Sequence, residues 1–234
     1  MDDVSRIKHV REKQEVVTDH QDLEELLLSY YEALRRSFGP RNWWPGETPF
    51  EVCVGAILTQ NTAWKNVVMA INNLKAAALL DPWKLHELPH EQLPELIRPA
   101  GYFNVKARRL RNFVEHLVQR HGGELSSLFS APVDALRREL LTINGVGKET
   151  ADSIILYAAD KLTFVVDAYT RRVLVSHSLI SPGDDYDTIQ DLFHRNLPPD
   201  KDLFNDFHAQ FVAVGHHFCK RTPGCGACPL GRFL

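Results

Sequence analysis

Apolar residues recur along most of the chain at spacings of three and four. Leu23, Leu26, Leu27, Tyr30 and Leu34 form one such stripe, and Phe204, Phe207, Phe211, Val214 and Phe218 form another. A repeat of that period lines one face of an α-helix, which must then be buried against a core. The pattern predicts helices near residues 20–37, 49–60, 63–76, 82–87, 90–98, 103–120, 133–142, 148–159, 167–177, 186–195 and 202–218. Glycine and proline punctuate them at Gly39-Pro40, Pro45-Gly46, Pro82, Gly122-Gly123, Pro132 and Pro182-Gly183. Thr48 followed by Pro49 marks a helix start, because threonine caps well and proline is pre-set for the first helical position. The only strand-like run, Thr163 to Val166, is too short to found a sheet.

Composition narrows the class. Of 234 residues, 44% are apolar and 24% charged, as in a globular protein and unlike a disordered or fibrous one. A net charge of −3 excludes a uniformly basic nucleic-acid coat but leaves room for a local basic face. No apolar stretch approaches the roughly 18–20 residues needed to span a bilayer. The N-terminal segment MDDVSRIKHVREKQEVV is charged and has no signal-type apolar core, so a cytoplasmic protein is expected. Four cysteines in such a chain point to metal binding, reactivity or packing before disulfides.

Ile143-Asn144-Gly145-Val146-Gly147-Lys148-Glu149-Thr150-Ala151 carries the most chemistry. Two glycines flank one apolar residue between two predicted helices. Glycine permits a tight turn, and bare backbone N–H groups at a helix start can approach a DNA phosphate. Val146 can plug the gap between the helices, and Lys148 would stand beside the same phosphate. Such a contact positions DNA without reading its sequence. A plain connection between two helices is the alternative reading of the glycines alone.

With its flanking helices this hairpin resembles that of the helix-hairpin-helix DNA glycosylase superfamily, which includes endonuclease III. Three further segments match in order: Phe50 to Thr62 (FEVCVGAILTQNT), Gly101 to Ala107 (GYFNVKA) and Val165 to Arg172 (VVDAYTRR). The resemblance covers about residues 40–230. It implies an all-α, two-lobed fold with the active-site cleft between lobes. One lobe is a helical barrel at 48–160 that includes the hairpin. The other combines 1–47 with 161–234 and ends in a cysteine-containing loop.

By the same resemblance Asp167 is the catalytic aspartate. Breaking an N-glycosidic bond builds positive charge on the sugar, which a fixed carboxylate stabilises, and the same group can orient the attacking water. In endonuclease III a lysine on the helix after the hairpin attacks the sugar. Aligned on Gly145-Val146-Gly147, that position here is Glu149, which forms no Schiff base. A monofunctional enzyme without AP-lyase activity is therefore expected.

Trp43-Trp44-Pro45 and Trp64 suit a base pocket, because aromatic faces stack on a flipped base and favour a cationic one. Together with Gly-Lys-Glu-Thr-Ala-Asp they resemble the bacterial 3-methyladenine branch, although Trp64 stands where that branch has phenylalanine. Gln60 and Asn61 are candidates to fill the gap left by the flipped base. Lys106, Arg108, Arg109 and Arg111, with Lys65, Lys148, Arg171, Arg172, Lys220 and Arg221, would supply phosphate contacts.

Cys219, Cys225 and Cys228 resemble the iron–sulfur loop of endonuclease III, but Leu234 occupies the fourth cysteine position. The expectation is a packed loop with no required cofactor. A three-cysteine [4Fe–4S] cluster, or zinc held with His216 or His217, is the alternative. The expected function is hydrolytic removal of alkylated purines from double-stranded DNA by a monomer. Removal of oxidised pyrimidines or mismatched bases is one alternative, and a non-catalytic damage-binding module is another.

Overall fold

A computed structural model describes residues 20–41 and 43–234, so the charged N-terminal segment and Asn42 lie outside the described residues. Twelve α-helices and no strand occur among the described residues. They are α1 (His20–Phe38), α2 (Pro49–Leu58), α3 (Trp64–Ala76), α4 (Pro82–Glu87), α5 (Gln92–Leu96), α6 (Phe103–His121), α7 (Leu125–Phe129), α8 (Val133–Leu141), α9 (Lys148–Ser153), α10 (Ala168–Ser176), α11 (Tyr186–Asn196) and α12 (Lys201–His217).

Local chemistry starts several of them. Thr48 accepts from the Glu51 N–H at 3.1 Å, Asp81 from Lys84 at 3.0 Å, and Asp185 from Thr188 at 2.8 Å. Each such cap stabilises its helix by about 1 kcal/mol. The five-residue α7 has no counterpart in the sequence pattern, because so short a helix shows no apolar repeat. The expected helix at 148–159 divides into α9 and a wider π-type turn, Ile154–Ala158.

Two hydrophobic cores are present among the described residues. The first draws on residues 50–158 and includes Ile57, Leu74, Leu110, Phe113, Leu140 and Ile154. The second joins Leu27, Tyr30 and Leu34 of α1 to Phe164, Phe193, Phe207 and Phe211. Phe164 stacks on Phe193 with ring centroids 3.7 Å apart.

The extended run Thr163 to Val166 is buried within this second core without a strand partner. Side chains satisfy its backbone instead. The Phe164 N–H donates to His194 Nε2 at 3.0 Å, the Phe164 carbonyl accepts from Gln190 at 2.7 Å, and the Val166 N–H donates to the Tyr186 hydroxyl at 3.3 Å. Nearby, Arg137 of α8 donates to the fully buried Asp152 of α9 at 2.8 Å and to Asp187 of α11 at 3.0 Å. Gln190 adds a 2.9 Å bond to Asp152. These donors offset the cost of burying the carboxylate and join α8 and α9 to α11.

Candidate active site

The hairpin is built around one close approach. Gly145 has φ +99°, and a Cβ there would lie 2.2 Å from Arg109 Cγ. Glycine is required both for the backbone angle and for Arg109 to pass beneath. Val146 is buried in the first core, and its N–H donates to the Ile143 carbonyl at 3.0 Å. Gly147 begins α9 with extended backbone, and open space faces its Cα.

Gln60 departs from the expected role. Its amide donates to the Gly145 carbonyl at 3.1 Å and to Thr150 Oγ1 at 2.9 Å, and it accepts from Arg109. It ties the end of α2 to the hairpin, so entering a duplex would break three hydrogen bonds. Asn61 is exposed, in the left-handed backbone region at φ 55°.

Many of the expected phosphate-binding cations serve the fold instead. Lys106 is buried, with Nζ 2.8 Å from both the Leu58 and Ala100 carbonyls. Burial, followed by the Arg109 charge, lowers it to about 8. Arg111 donates to the Leu88 and Pro89 carbonyls, Arg171 to Asp184 and Arg172 to Cys219 and Gly215. Lys148 pairs with Asp187 at 2.5 Å on the surface. Helix ends and turns leave carbonyls without partners, and these long side chains reach them. Arg108, Lys65, Lys220 and Arg221 remain exposed.

Asp167 caps α10. Its Oδ1 accepts from the Thr170 N–H at 2.7 Å, and its Oδ2 stands 3.8 Å from His208 Nε2. Glu149 lies in the first turn of α9. Its edge is open to solvent, yet the protein crowding it, and then the Asp167 charge, raise its carboxyl to about 7. The hairpin helix and the cap of α10 thus bring two carboxyl groups into mutual repulsion.

Two further groups complete this set. His208 of α12 is buried, which lowers its pKa against the pull of Asp167. Its Nδ1 meets the hydroxyl of Tyr157 in the π-type turn. Tyr157 in turn packs on Trp44, with centroids 5.4 Å apart. Neither residue carries a sequence signal, since each sits on an ordinary helical stripe.

The tryptophans converge but leave no gap. Trp43 and Trp64 lie 5.6 Å apart at 54°, and Trp44 meets Trp64 edge-on at 5.1 Å. The expected two-ring sandwich is therefore closed, because these large half-buried rings gain more by packing on one another than by standing apart in water. Trp44 also lies over Gly55, where a Cβ would be 3.2 Å from its ring nitrogen. Trp43 Nε1 is buried without a hydrogen-bond partner, and Pro45 is exposed. A cavity of about 580 Å³ opens beside Trp43 but is walled by Asp200, Asp202 and Asp206 rather than by Asp167.

In the C-terminal loop, Cys219 and Cys228 pack against the second core while Cys225 is exposed. Burial, with the nearby Cys225 and Cys219, raises the Cys228 thiol. The fourth cysteine, Cys53, is fully buried in the first core. A four-thiolate cluster does not fit this donor set. Among the described residues, no three of Cys219, Cys225, Cys228, His216 and His217 bring ligand atoms within 4.8 Å of one another, so a zinc site is not preassembled there. His217 instead stacks on Phe38 at 5.9 Å.

A helical hairpin with an open glycine at its helix start thus stands beside an acid-capped helix. The sequence matches the family of HhH-GPD superfamily base excision DNA repair proteins over residues 54–199. The chain belongs to that superfamily and is an endonuclease III-like DNA glycosylase.

It is 47% identical over 210 residues to a candidate DNA repair glycosylase of Methanocaldococcus jannaschii, covering 89% of this chain and 96% of that one. The fold is that of endonuclease III in a non-covalent DNA complex, with TM-score 0.77, 22% identity and coverage of 90% and 94%. The chain is also similar to the Helicobacter pylori 3-methyladenine DNA glycosylase MagIII bound to 1,N6-ethenoadenine, with TM-score 0.71, 28% identity and coverage of 85% and 97%. Among the described residues no helix is long and apolar enough to cross a membrane.

Proposed function

We propose that this chain is a monofunctional glycosylase that removes alkylated purines from double-stranded DNA by hydrolysis, acting as a monomer. The observation that carries this reading is Glu149 on the hairpin helix, electrostatically coupled to Asp167, where a Schiff-base lysine would otherwise stand. A carboxyl group there forms no Schiff base from that position and favours water as the nucleophile. Asp167 stabilises the sugar cation and orients the water. Glu149, raised to about 7, holds its proton over part of the neutral range, which spares the site a second full negative charge beside Asp167.

The aromatic pile supports the substrate class. Trp43, Trp44, Trp64 and Tyr157 offer electron-rich faces, which hold a cationic alkylated purine better than a neutral base. Entry requires Trp43 and Trp64 to part. The likeness to MagIII, a 3-methyladenine DNA glycosylase by name, supports the same substrate class.

Backbone at Gly145 and Gly147 takes a phosphate, with Lys148 exchanging Asp187 for it. Asn61 and Tyr102 (74% exposed) are the side chains suited to enter the duplex. Lys106 holds the two turns that carry them together through the carbonyls of Leu58 and Ala100. The chemistry runs through no cofactor. Cys219, Cys225 and Cys228 shape the C-terminal loop and offer at most three thiolates.

The test is base release from duplexes carrying 3-methyladenine, an oxidised pyrimidine, or a uracil or thymine mismatch, scored with and without alkali. Release of the alkylated purine with strand breakage only after alkali is expected. Preferential release of a pyrimidine would move the substrate class. Efficient trapping on DNA by borohydride would overturn the monofunctional reading.

A further inference from the structure

A second convergence of ligand-type side chains lies outside the set around Asp167, where the end of α6 meets α8. His116 Nε2 is 2.9 Å and His121 Nε2 is 2.7 Å from the same oxygen of Glu139, Oε1. All three ligand atoms lie within 4.8 Å of one another, and the side chains are 17%, 14% and 29% exposed. We propose that His116, His121 and Glu139 form a zinc-binding site that ties α6 to α8.

Four features carry the assignment. The donor set is two imidazoles and one carboxylate, a combination suited to zinc, with water or the second Glu139 oxygen for the fourth position. Tetrahedral zinc with bonds of about 2.0–2.1 Å holds its ligand atoms roughly 3.3–3.4 Å apart. Each His–Glu distance needs to open by only about half an ångström to admit it. Among the described residues no lysine or arginine forms an ion pair with Glu139, so no fixed cation competes.

Finally, the outer nitrogen of one ligand is already held. His121 Nδ1 lies 3.1 Å from Ser127 Oγ in α7, the kind of outer contact that fixes the tautomer and orientation of a metal-bound imidazole.

The place matters for the hairpin. α8 leads directly into it, and Asn112 of α6 donates to the Asn144 carbonyl at 2.8 Å. Zinc at this corner would hold together the two helices that frame the DNA-contacting turn, acting on the fold and not on the reacting atoms. Glu139 is supplied by a different helix, and two histidines five residues apart on α6 lie about 140° apart around an ideal helix. No local motif therefore announces the site.

The experiment uses the full chain with Cys219, Cys225 and Cys228 changed to serine, so that the thiols take no metal. Zinc chloride titrated into this protein is expected to bind at one equivalent and to raise the melting temperature. His116→Ala with His121→Ala should lose that equivalent and the thermal shift. Where the double variant fails to fold, His116→Gln alone should weaken zinc binding at least tenfold. No zinc uptake by the triple-serine chain, or uptake unchanged by the histidine substitutions, overturns the proposal.

Discussion

His208 Nε2 stands 3.8 Å from Asp167 Oδ2, buried and without a hydrogen-bond partner, while its other ring nitrogen meets Tyr157. The imidazole thereby links the aromatic pile to the carboxylate of α10. His208→Phe keeps the bulk and removes this polar link. Base release is expected to fall about tenfold, because the buried Tyr157 hydroxyl loses its partner, a hydrogen bond worth roughly 1.4 kcal/mol, and the imidazole leaves Asp167. On an Asp167→Asn background the same change should add little further loss. Additive losses in that double-mutant cycle would separate His208 from Asp167.

Asp167→Asn should lower base release by about 10²–10³-fold, equivalent to roughly 2.7–4 kcal/mol of transition-state stabilisation. The amide oxygen can still cap α10 by accepting from Thr170, so melting temperature and DNA affinity should hardly move. Single-turnover assays beside binding isotherms distinguish a lost charge from a lost fold.

Glu149 predicts a sign in the pH dependence of stability. Its folded-state carboxyl is raised to about 7 from 4.5, so between those values the folded protein holds more of its proton than the unfolded chain does. Its stabilising share is present below about 4.5 and is lost as pH rises through 7. Glu149→Gln, which never ionises, should therefore be the more stable protein at pH 8, by about 1 kcal/mol after allowance for its solvent-open edge. The difference should vanish near pH 4. Chemical denaturation at both pH values measures it.

Gly145→Ala meets two obstacles, a φ of +99° and Arg109 at 2.2 Å. The substitution should destabilise the protein by about 1–3 kcal/mol on the backbone strain alone. It should also weaken binding to undamaged DNA at low salt. Gly147→Ala, facing open space, should keep the stability and test the phosphate approach by itself. Melting curves and salt-dependent affinities report the two effects separately.

Trp64→Ala removes a ring in contact with both Trp43 and Trp44. Processing of alkylated purines should drop by about 1–3 kcal/mol per lost stacking face, with affinity for undamaged DNA retained. Parallel loss of both affinities together with melting temperature would make Trp64 a packing residue only.

Local chemistry made much of this protein legible in advance. The apolar stripes of α1 and α12, the Thr48 cap and the Gly-x-Gly turn depend on residues within a few positions of one another, so the sequence alone located them. The position of Asp167 before a helix was equally plain, and its cap bond to Thr170 spans only three residues.

Tertiary structure decided which polar groups meet. Gln60 reaches Gly145 across 85 residues, Lys106 reaches Leu58 across 48, and Tyr157 reaches His208 across 51. These pairings turned an expected wedge and an expected phosphate ligand into supports, because buried carbonyls take the nearest available donor. The closed tryptophan pile likewise forms only when the loop before α2 meets the start of α3, and the charge coupling of Glu149 to Asp167 only when α9 and the cap of α10 come together. Periodicity says which face of a helix is buried. Which residue it is buried against is fixed by long-range packing, which no local spacing encodes.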